Sequence, residues 1–336
     1  MQRTARTQTS CDDLADDAAI VLHGKDETGM VDRRVLDDER VVLNMLAQEP
    51  AANQLFGYMV RQPCLKPGFR SVVVDWTIDV AMRYKLSQET LYLAAALLDG
   101  YLVACSLQVP ANRFQLLGTV CLLIASKLED TKPLTITNVV VVCAKMYDRS
   151  DVVCMEMEVL AALNWSLHIP TAWNFLAWLV SCDDRTSFNV GLLAQYILEL
   201  VIIEYASLLW APSQIACAAL CIARQHGHVR PVLCNMAADM LLMDGMVEIR
   251  PCAFIIFDIL VYRSAKLTAV QRKYKDGILV VDGTWEVLAR QVKLSWPPGD
   301  GDAGMLLQVL EWGLFDDVFF TTDEILTGLA HVCRNL

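Results

Sequence analysis

An all-α protein made of two successive five-helix units is what this 336-residue sequence predicts. Three observations lead there. No stretch keeps the period-two alternation of apolar and polar residues that a half-buried strand needs. Prolines at 110, 133, 170, 212, 231 and 251 each stand just ahead of an apolar run or inside its first turn, where a missing N–H costs a helix little. A twelve-residue string also recurs at an offset of 98: QLLGTVCLLIAS (Gln115 to Ser126) matches SQIACAALCIAR (Ser213 to Arg224). Gly118 coincides with Ala216 and Ala125 with Ala223. Seven apart, these small residues share a face and let neighbouring helices approach the backbone, as the central helix of each unit requires.

The elements follow in order. Residues 1–34 are polar, acidic and aperiodic, which predicts a mobile tail. From Leu36 the pattern turns helical, Val41, Met45 and Leu46 sharing a face and Pro50 closing the segment. Helices are then expected from Phe69 to Tyr84, from Ser87 to about Cys105 with Glu89 in the first turn, and after Pro110. Two more run from Ile136 to Met146 and, capped by Ser150, from Asp151 to Leu163. The first unit with its preceding helix spans 35–168, the second spans 169–275, and an acidic extension occupies 276–336. Within that extension a Thr321-x-x-Glu324 capping box opens a last helix.

Charge narrows the function. Residues 1–50 carry 11 acidic and 6 basic side chains, and residues 298–336 carry 7 and 1, so the two ends account for the whole net charge of −11. The body balances at 21 against 21 and has no basic stripe, which disfavours nucleic acid as a partner. The most apolar run, Val190 to Trp210, is interrupted by Gln195, Glu199 and Glu204, so it reads as a core helix with one wet edge and not as a membrane span. The N-terminus has no apolar core of the kind a signal peptide carries, and an intracellular, soluble protein is expected. Twelve cysteines are scattered through apolar runs (Cys121, Cys143, Cys217 and Cys221 among them) without a C-x-x-C pair, as buried, reduced thiols would be.

Motifs for chemistry are weak. Gly299-x-Gly301-x-x-Gly304 follows two prolines instead of a strand, and Asp300 and Asp302 would repel phosphates. Asp300, Asp302 and Glu311 fall at calcium-loop positions, but Met305 replaces the obligatory glycine. His226 and His228 have no accompanying ligand set. No metal, no cofactor and no catalytic site is nominated, so a non-enzyme is expected. Lys127 reads as a helix-terminal cation and Glu156 as a first-turn carboxylate, each suited to the dipole at its helix end. Arg70 and Asp99 interrupt apolar stretches and suggest a buried ion pair joining two helices.

Five strings bear on identity: GYMVRQP, FRSVVVDW, YKLSQETLYLAAALLD, QLLGTVCLLIASKLED and MEMEVLAALNWSLHIPTAWNFL. In order and spacing, over roughly 130 residues, they resemble the cyclin box, the kinase-binding domain of the cyclins. The second half continues in the manner of A- and B-type cyclins with LAQYILELVIIEYASLLWAPSQIACAALCIAR and VQRKYKDG, while LLGTVCLLIASKL and LNWSL lean towards D-type cyclins.

The resemblance implies two tandem cyclin boxes and a regulatory subunit that binds and activates a Ser/Thr cyclin-dependent kinase in cell-cycle control, in nucleus and cytoplasm. It implies that Lys127 and Glu156 hydrogen-bond kinase backbone beside its αC helix, with Ile124, Leu160 and Trp165 lining the groove for that helix. Phe69, Val72, Val73 and Trp76 would form a docking patch for RxL-type substrates or inhibitors, with Asp79 and Gln115 at its rim. Arg70 and Asp99 match the family's structural ion pair. Two positions depart: Asp99-Gly100-Tyr101 stands where Asp-Arg-Phe is usual, and Phe69 stands where methionine is usual. A glycine inside that helix costs roughly 1 kcal/mol. The alternatives are a factor-IIB-like adaptor that uses the same fold without a kinase, and a divergent or viral cyclin with a different kinase.

Overall fold

The structure is a computed structural model and describes residues 39–51, 54–105, 107–181, 186–226, 249–262 and 267–274. The expected tail (1–34), the extension (276–336), His228 and the helix after Pro231 lie outside the described residues. All regular structure among the described residues is helical.

A first helix, α1 (Glu39–Gln48), leads through a 3₁₀ turn (Tyr58–Arg61) into α2 (Pro67–Tyr84), α3 (Gln88–Ala104), α4 (Ala111–Glu129), α5 (Ile136–Val142) and α6 (Arg149–Ala162). The second group comprises α7 (Ala172–Ser181), α8 (Phe188–Ile203), a 3₁₀ turn (Tyr205–Leu209), α9 (Pro212–His226), α10 (Ile249–Tyr262) and α11 (Ala269–Tyr274). The two copies of the repeat occupy equivalent places. Helix α4 packs against α2, α3, α5 and α6, and α9 packs against α7, α8 and α10. Gly118, Ala125, Ala216 and Ala223 are all buried. At Gly118 the need for a small residue is direct: a Cβ there would stand 2.3 Å from Val73 Cγ1 of α2.

Local chemistry explains the helix ends and moves some of the expected ones. Ser87 caps α3 by accepting from Thr90 N–H. Asp130, just past α4, accepts from Ser87 N–H at 2.9 Å and so ties the end of α4 to the start of α3. Helix α6 is capped by Asp148, not by Ser150, in a reciprocal capping box with Asp151; the Ser150 hydroxyl donates to the Asp148 carboxylate instead. Helix α5 stops at Val142, short of Met146, because Ala144 and Lys145 both take left-handed backbone (φ 53° and 59°). In α1 the inward face is Val42, Met45 and Leu46; Val41 points to solvent.

The segment from Val190 to Trp210 is not a helix with a wet edge. It is α8 followed by a 3₁₀ turn, and Gln195 and Glu199 are both buried. Glu199 is compensated by partners from α11: Lys273 Nζ donates to its Oε1 at 2.8 Å and the Tyr274 hydroxyl at 2.5 Å. Sequence polarity misled here because the compensating cation arrives from 74 residues away.

Several polar links among the described residues bind the first group to the second, among them the Asp79–Arg272 pair and a bond from Gly57 N–H to the Tyr205 hydroxyl (2.8 Å). Arg70 of α2 and Asp99 of α3 form a bidentate pair (2.8 Å for both bonds), and Arg70 Nη1 also donates to the carbonyls of Ile202 and Ile203 at the end of α8. The Glu49 carboxylate, just past α1, accepts from Ser213 N–H (3.0 Å) and Ser213 Oγ (2.9 Å), satisfying the N-terminus of α9. Ala269 N–H at the start of α11 donates to Asp75 of α2 at 3.0 Å.

Among the described residues the buried cysteines (Cys121, Cys143, Cys217, Cys221, Cys252) are all free thiols. Burial raises each of them, Cys221 to about 12, which keeps them protonated and unreactive.

Candidate functional site: two exposed faces of the first helical group

Helix α6 is apolar on two sides. Val152, Met155 and Val159 are buried and hold it against the core. Val153, Glu156, Met157 and Leu160 form a second stripe at the same helical spacing, and there Val153 is 43% and Met157 52% exposed. Most surface helices bury one stripe and solvate the rest, so an apolar stripe left open marks a place for a partner.

Lys127 and Glu156 meet on this face. Lys127 lies in the last turn of α4, as its sequence position suggests, but Glu156 sits in the middle of α6, far from the dipole of that helix's start. What orients it is an ion pair: Lys127 Nζ donates to Glu156 Oε1. An ammonium has three donors and a carboxylate two acceptor oxygens, so the pair retains capacity for an outside backbone.

Beyond α6 the chain turns through two consecutive left-handed residues, Asn164 (φ 49°) and Trp165 (φ 59°), with Trp165 N–H donating to Leu160 O at 3.0 Å. Each such non-glycine conformation costs about 1–3 kcal/mol. Here the turn holds the Trp165 ring 63% exposed. The Ala144–Lys145 pair similarly precedes an exposed Met146. Leu160 is half-buried, whereas Ile124 is buried, one turn behind Lys127, and forms the wall beneath the face. Leu128, Val141, Met146, Val153 and Met157 add exposed apolar area on α4, α5, the turn after α5, and α6 that the sequence reading did not single out. The 153/157/160 spacing was the available signal.

The second face is on α2. Phe69 and Val72 are exposed (42% and 57%) and Trp76 is half-buried, at helical spacing on one side. Val73 is turned inward over Gly118 and serves as a floor. Gln115 is half-buried on α4, its backbone carbonyl accepting from Thr119 Oγ1 at 2.8 Å. Asp79 is engaged by Arg272 of α11. Arg70 and Asp99 lie deep between the helices, with the Tyr58 hydroxyl donating to Asp99 Oδ1 at 2.8 Å. Burial and the Asp99 charge push the Tyr58 hydroxyl well up, so it stays a donor.

No group of histidine, cysteine and carboxylate side chains among the described residues is arranged to hold a metal ion. No described helix is long and apolar enough to cross a membrane.

Family models match in the order the two helical groups occur: the cyclin N-terminal domain over residues 40–168 and the cyclin C-terminal domain over 170–278. The chain belongs to the cyclin family. Its two groups are cyclin boxes in tandem. Among its relatives, a G2/mitotic-specific cyclin-B3 of Mus musculus is 34% identical over 182 residues, 54% of this chain but 13% of the mouse protein. The G2/mitotic-specific cyclin S13-7 of Glycine max is 31% identical over 222 residues, covering 65% of this chain and 84% of the soybean protein. The matched segments span 32% of the Drosophila melanogaster cyclin-B3 and 54% of the rice cyclin-A3-2, so several relatives are much longer than the shared part. A viral cyclin from herpesvirus saimiri has the same fold at 18% identity (TM-score 0.56, covering 68% of this chain and 96% of the viral one).

Proposed function

We propose that this cyclin is the regulatory, non-catalytic subunit of a Ser/Thr cyclin-dependent kinase and acts in cell-cycle control, in nucleus and cytoplasm. Kinase activity requires the ion pair between strand β3 and αC together with an ordered activation loop. A partner that binds the αC-in arrangement preferentially shifts the population towards it. The observation that carries the reading is the uncovered stripe of α6, with the Lys127–Glu156 pair in it and the strained, exposed Trp165 beside it. An apolar face with fixed charges suits a groove for an amphipathic helix. The names of its relatives, G2/mitotic-specific cyclins, support the cell-cycle role. The α2 face around Phe69, Val72 and Trp76 is proposed as a docking site for extended RxL-type peptides of substrates or inhibitors.

The test is kinase capture and activation by purified full-length protein. The Lys127→Ala/Glu156→Ala double variant should keep its helical circular dichroism and unfolding midpoint, because the pair is partly exposed and worth at most about 1 kcal/mol. It should lose kinase binding by tenfold or more, on the order of what truncating central interface residues costs. Retained tight binding and activation would sink the assignment of this face, and binding to a non-kinase partner with no kinase captured would favour an adaptor role.

A further inference from the structure

Asp79 sits where an acidic rim would meet the basic residue of a docking peptide, but it is already taken. Arg272 Nη2 reaches both of its carboxylate oxygens, at 2.6 Å to Oδ1, while Arg272 Nη1 donates to Thr268 Oγ1 at 2.6 Å. The guanidinium is therefore held from two sides.

Its backbone is held more firmly still. Helix α11 is anchored at its first residue by the Asp75 carboxylate, one turn before Asp79 on α2. At its last two residues it is anchored by the buried Glu199 of α8, through Lys273 and Tyr274. The Tyr274 ring also meets Tyr196 edge-on, centroids 5.4 Å apart. Ala269, Val270 and Tyr274 are buried. Arg272 is thus delivered to Asp79 by contacts that do not depend on the Arg272–Asp79 pair itself.

We propose that Arg272 is a specificity-determining residue of the α2 docking face. It neutralises the acidic rim from within, so the face selects a peptide by its apolar residue and gains little from a basic one. The inference rests on the docking reading given above and names the peptide class that face takes. A carboxylate whose charge is already paired with a resident guanidinium gains less from a second cation, although acceptor sites on its oxygens stay open. A peptide arginine must displace the resident one or join it as a second cation, where like-charge repulsion offsets the gain. Because Arg272 is 54% exposed, displacement is possible, so the penalty falls on discrimination and leaves apolar docking in place.

Fluorescence-polarisation titration of the full-length chain with three labelled extended peptides tests this: one with an RxL core, one with its arginine changed to alanine, one with its leucine changed to alanine. For the wild type, the first two should bind within about threefold of each other, since an occupied surface charge adds little. Arg272→Ala should tighten the RxL peptide and not the one that lacks arginine, opening a gap of about tenfold between these two that shrinks with added salt. Asp79→Asn should close that gap in the Arg272→Ala background. An unchanged ratio in Arg272→Ala, or a tenfold preference for arginine already present in the wild type, would overturn the proposal. If no peptide binds, or if Trp76→Ala leaves all three affinities unchanged, the docking reading itself falls and the role of Arg272 with it. Arg272→Gln provides a second variant that keeps hydrogen bonding but removes the charge, and it should behave as Arg272→Ala does.

Discussion

Arg70 is a buried cation that reaches from one cyclin box into the other. It is 1% exposed, its partner Asp99 is 2% exposed, and its spare donors reach the carbonyl end of α8 in the other cyclin box. A guanidinium there satisfies carbonyls that α8 leaves unpaired and complements the negative end of its dipole. Removing one partner strands the other as a buried charge, which typically costs about 3–5 kcal/mol. Asp99→Ala should therefore lower the urea-unfolding free energy by that amount, and Arg70→Met/Asp99→Leu should cost less than the sum of the two single changes. Strict additivity would mean that the two residues contribute separately. Both residues were legible in the sequence as charges out of place, because a polar residue in an apolar run needs a nearby compensator. The carbonyls of Ile202 and Ile203 were not, since a backbone acceptor leaves no mark in sequence.

Two helix glycines look alike in sequence and differ in the fold. Gly118 faces Val73 so closely that an added Cβ would stand 2.3 Å from it. Overpacking of that kind costs about 1–3 kcal/mol, so Gly118→Ala should destabilise by this much and Val73→Ala should relieve part of the loss. At Gly100 the nearest obstacle is the flexible end of Leu163, its Cδ2 at 3.3 Å from an added Cβ. There the gain in helix propensity, about 1 kcal/mol, should dominate, and Gly100→Ala should raise the thermal midpoint. A lower midpoint for Gly100→Ala would show that Leu163 cannot yield. Helix α6 teaches the same lesson for surfaces. Its inner stripe is ordinary, and its outer stripe becomes informative only once the fold shows that no other described element covers it.

At the scale of the molecule, the boxes are joined by charges drawn from distant parts of the chain, and this makes stability pH-dependent. Burial raises the carboxyl of Glu204 above its ordinary value, with Arg70 opposing in part. Such a group prefers to be protonated in the folded state. It therefore adds stability as pH falls through its folded pKa, complete below the unfolded one, and withdraws it as pH rises again. Glu49, Asp75 and Glu129 are raised by burial in the same direction. Urea-unfolding free energies measured from pH 7 down to 4.5 should gain less in Glu204→Gln than in the wild type; parallel curves would contradict the assignment. Equally, α11 is only six residues long, yet it engages α2 and α8 through Asp75, Asp79 and Glu199.

By itself the sequence determined the helical class, the positions of most helix starts, the doubling around Gln115 and Ser213, and the family. These rest on local chemistry: proline placement, capping side chains, small residues at helical spacing, and motif strings in order. Where a helix had two possible caps, as at Asp148 and Ser150, only the fold chose between them. The tertiary structure alone decided that Glu199 is buried and paired, that Val73 lies inward over Gly118, and that Asp79 is occupied by Arg272. Each of these depends on a partner far along the chain, from 45 residues for Val73 and Gly118 to 193 for Asp79 and Arg272. Periodicity reports which side of a helix is apolar; only packing reports what lies against it.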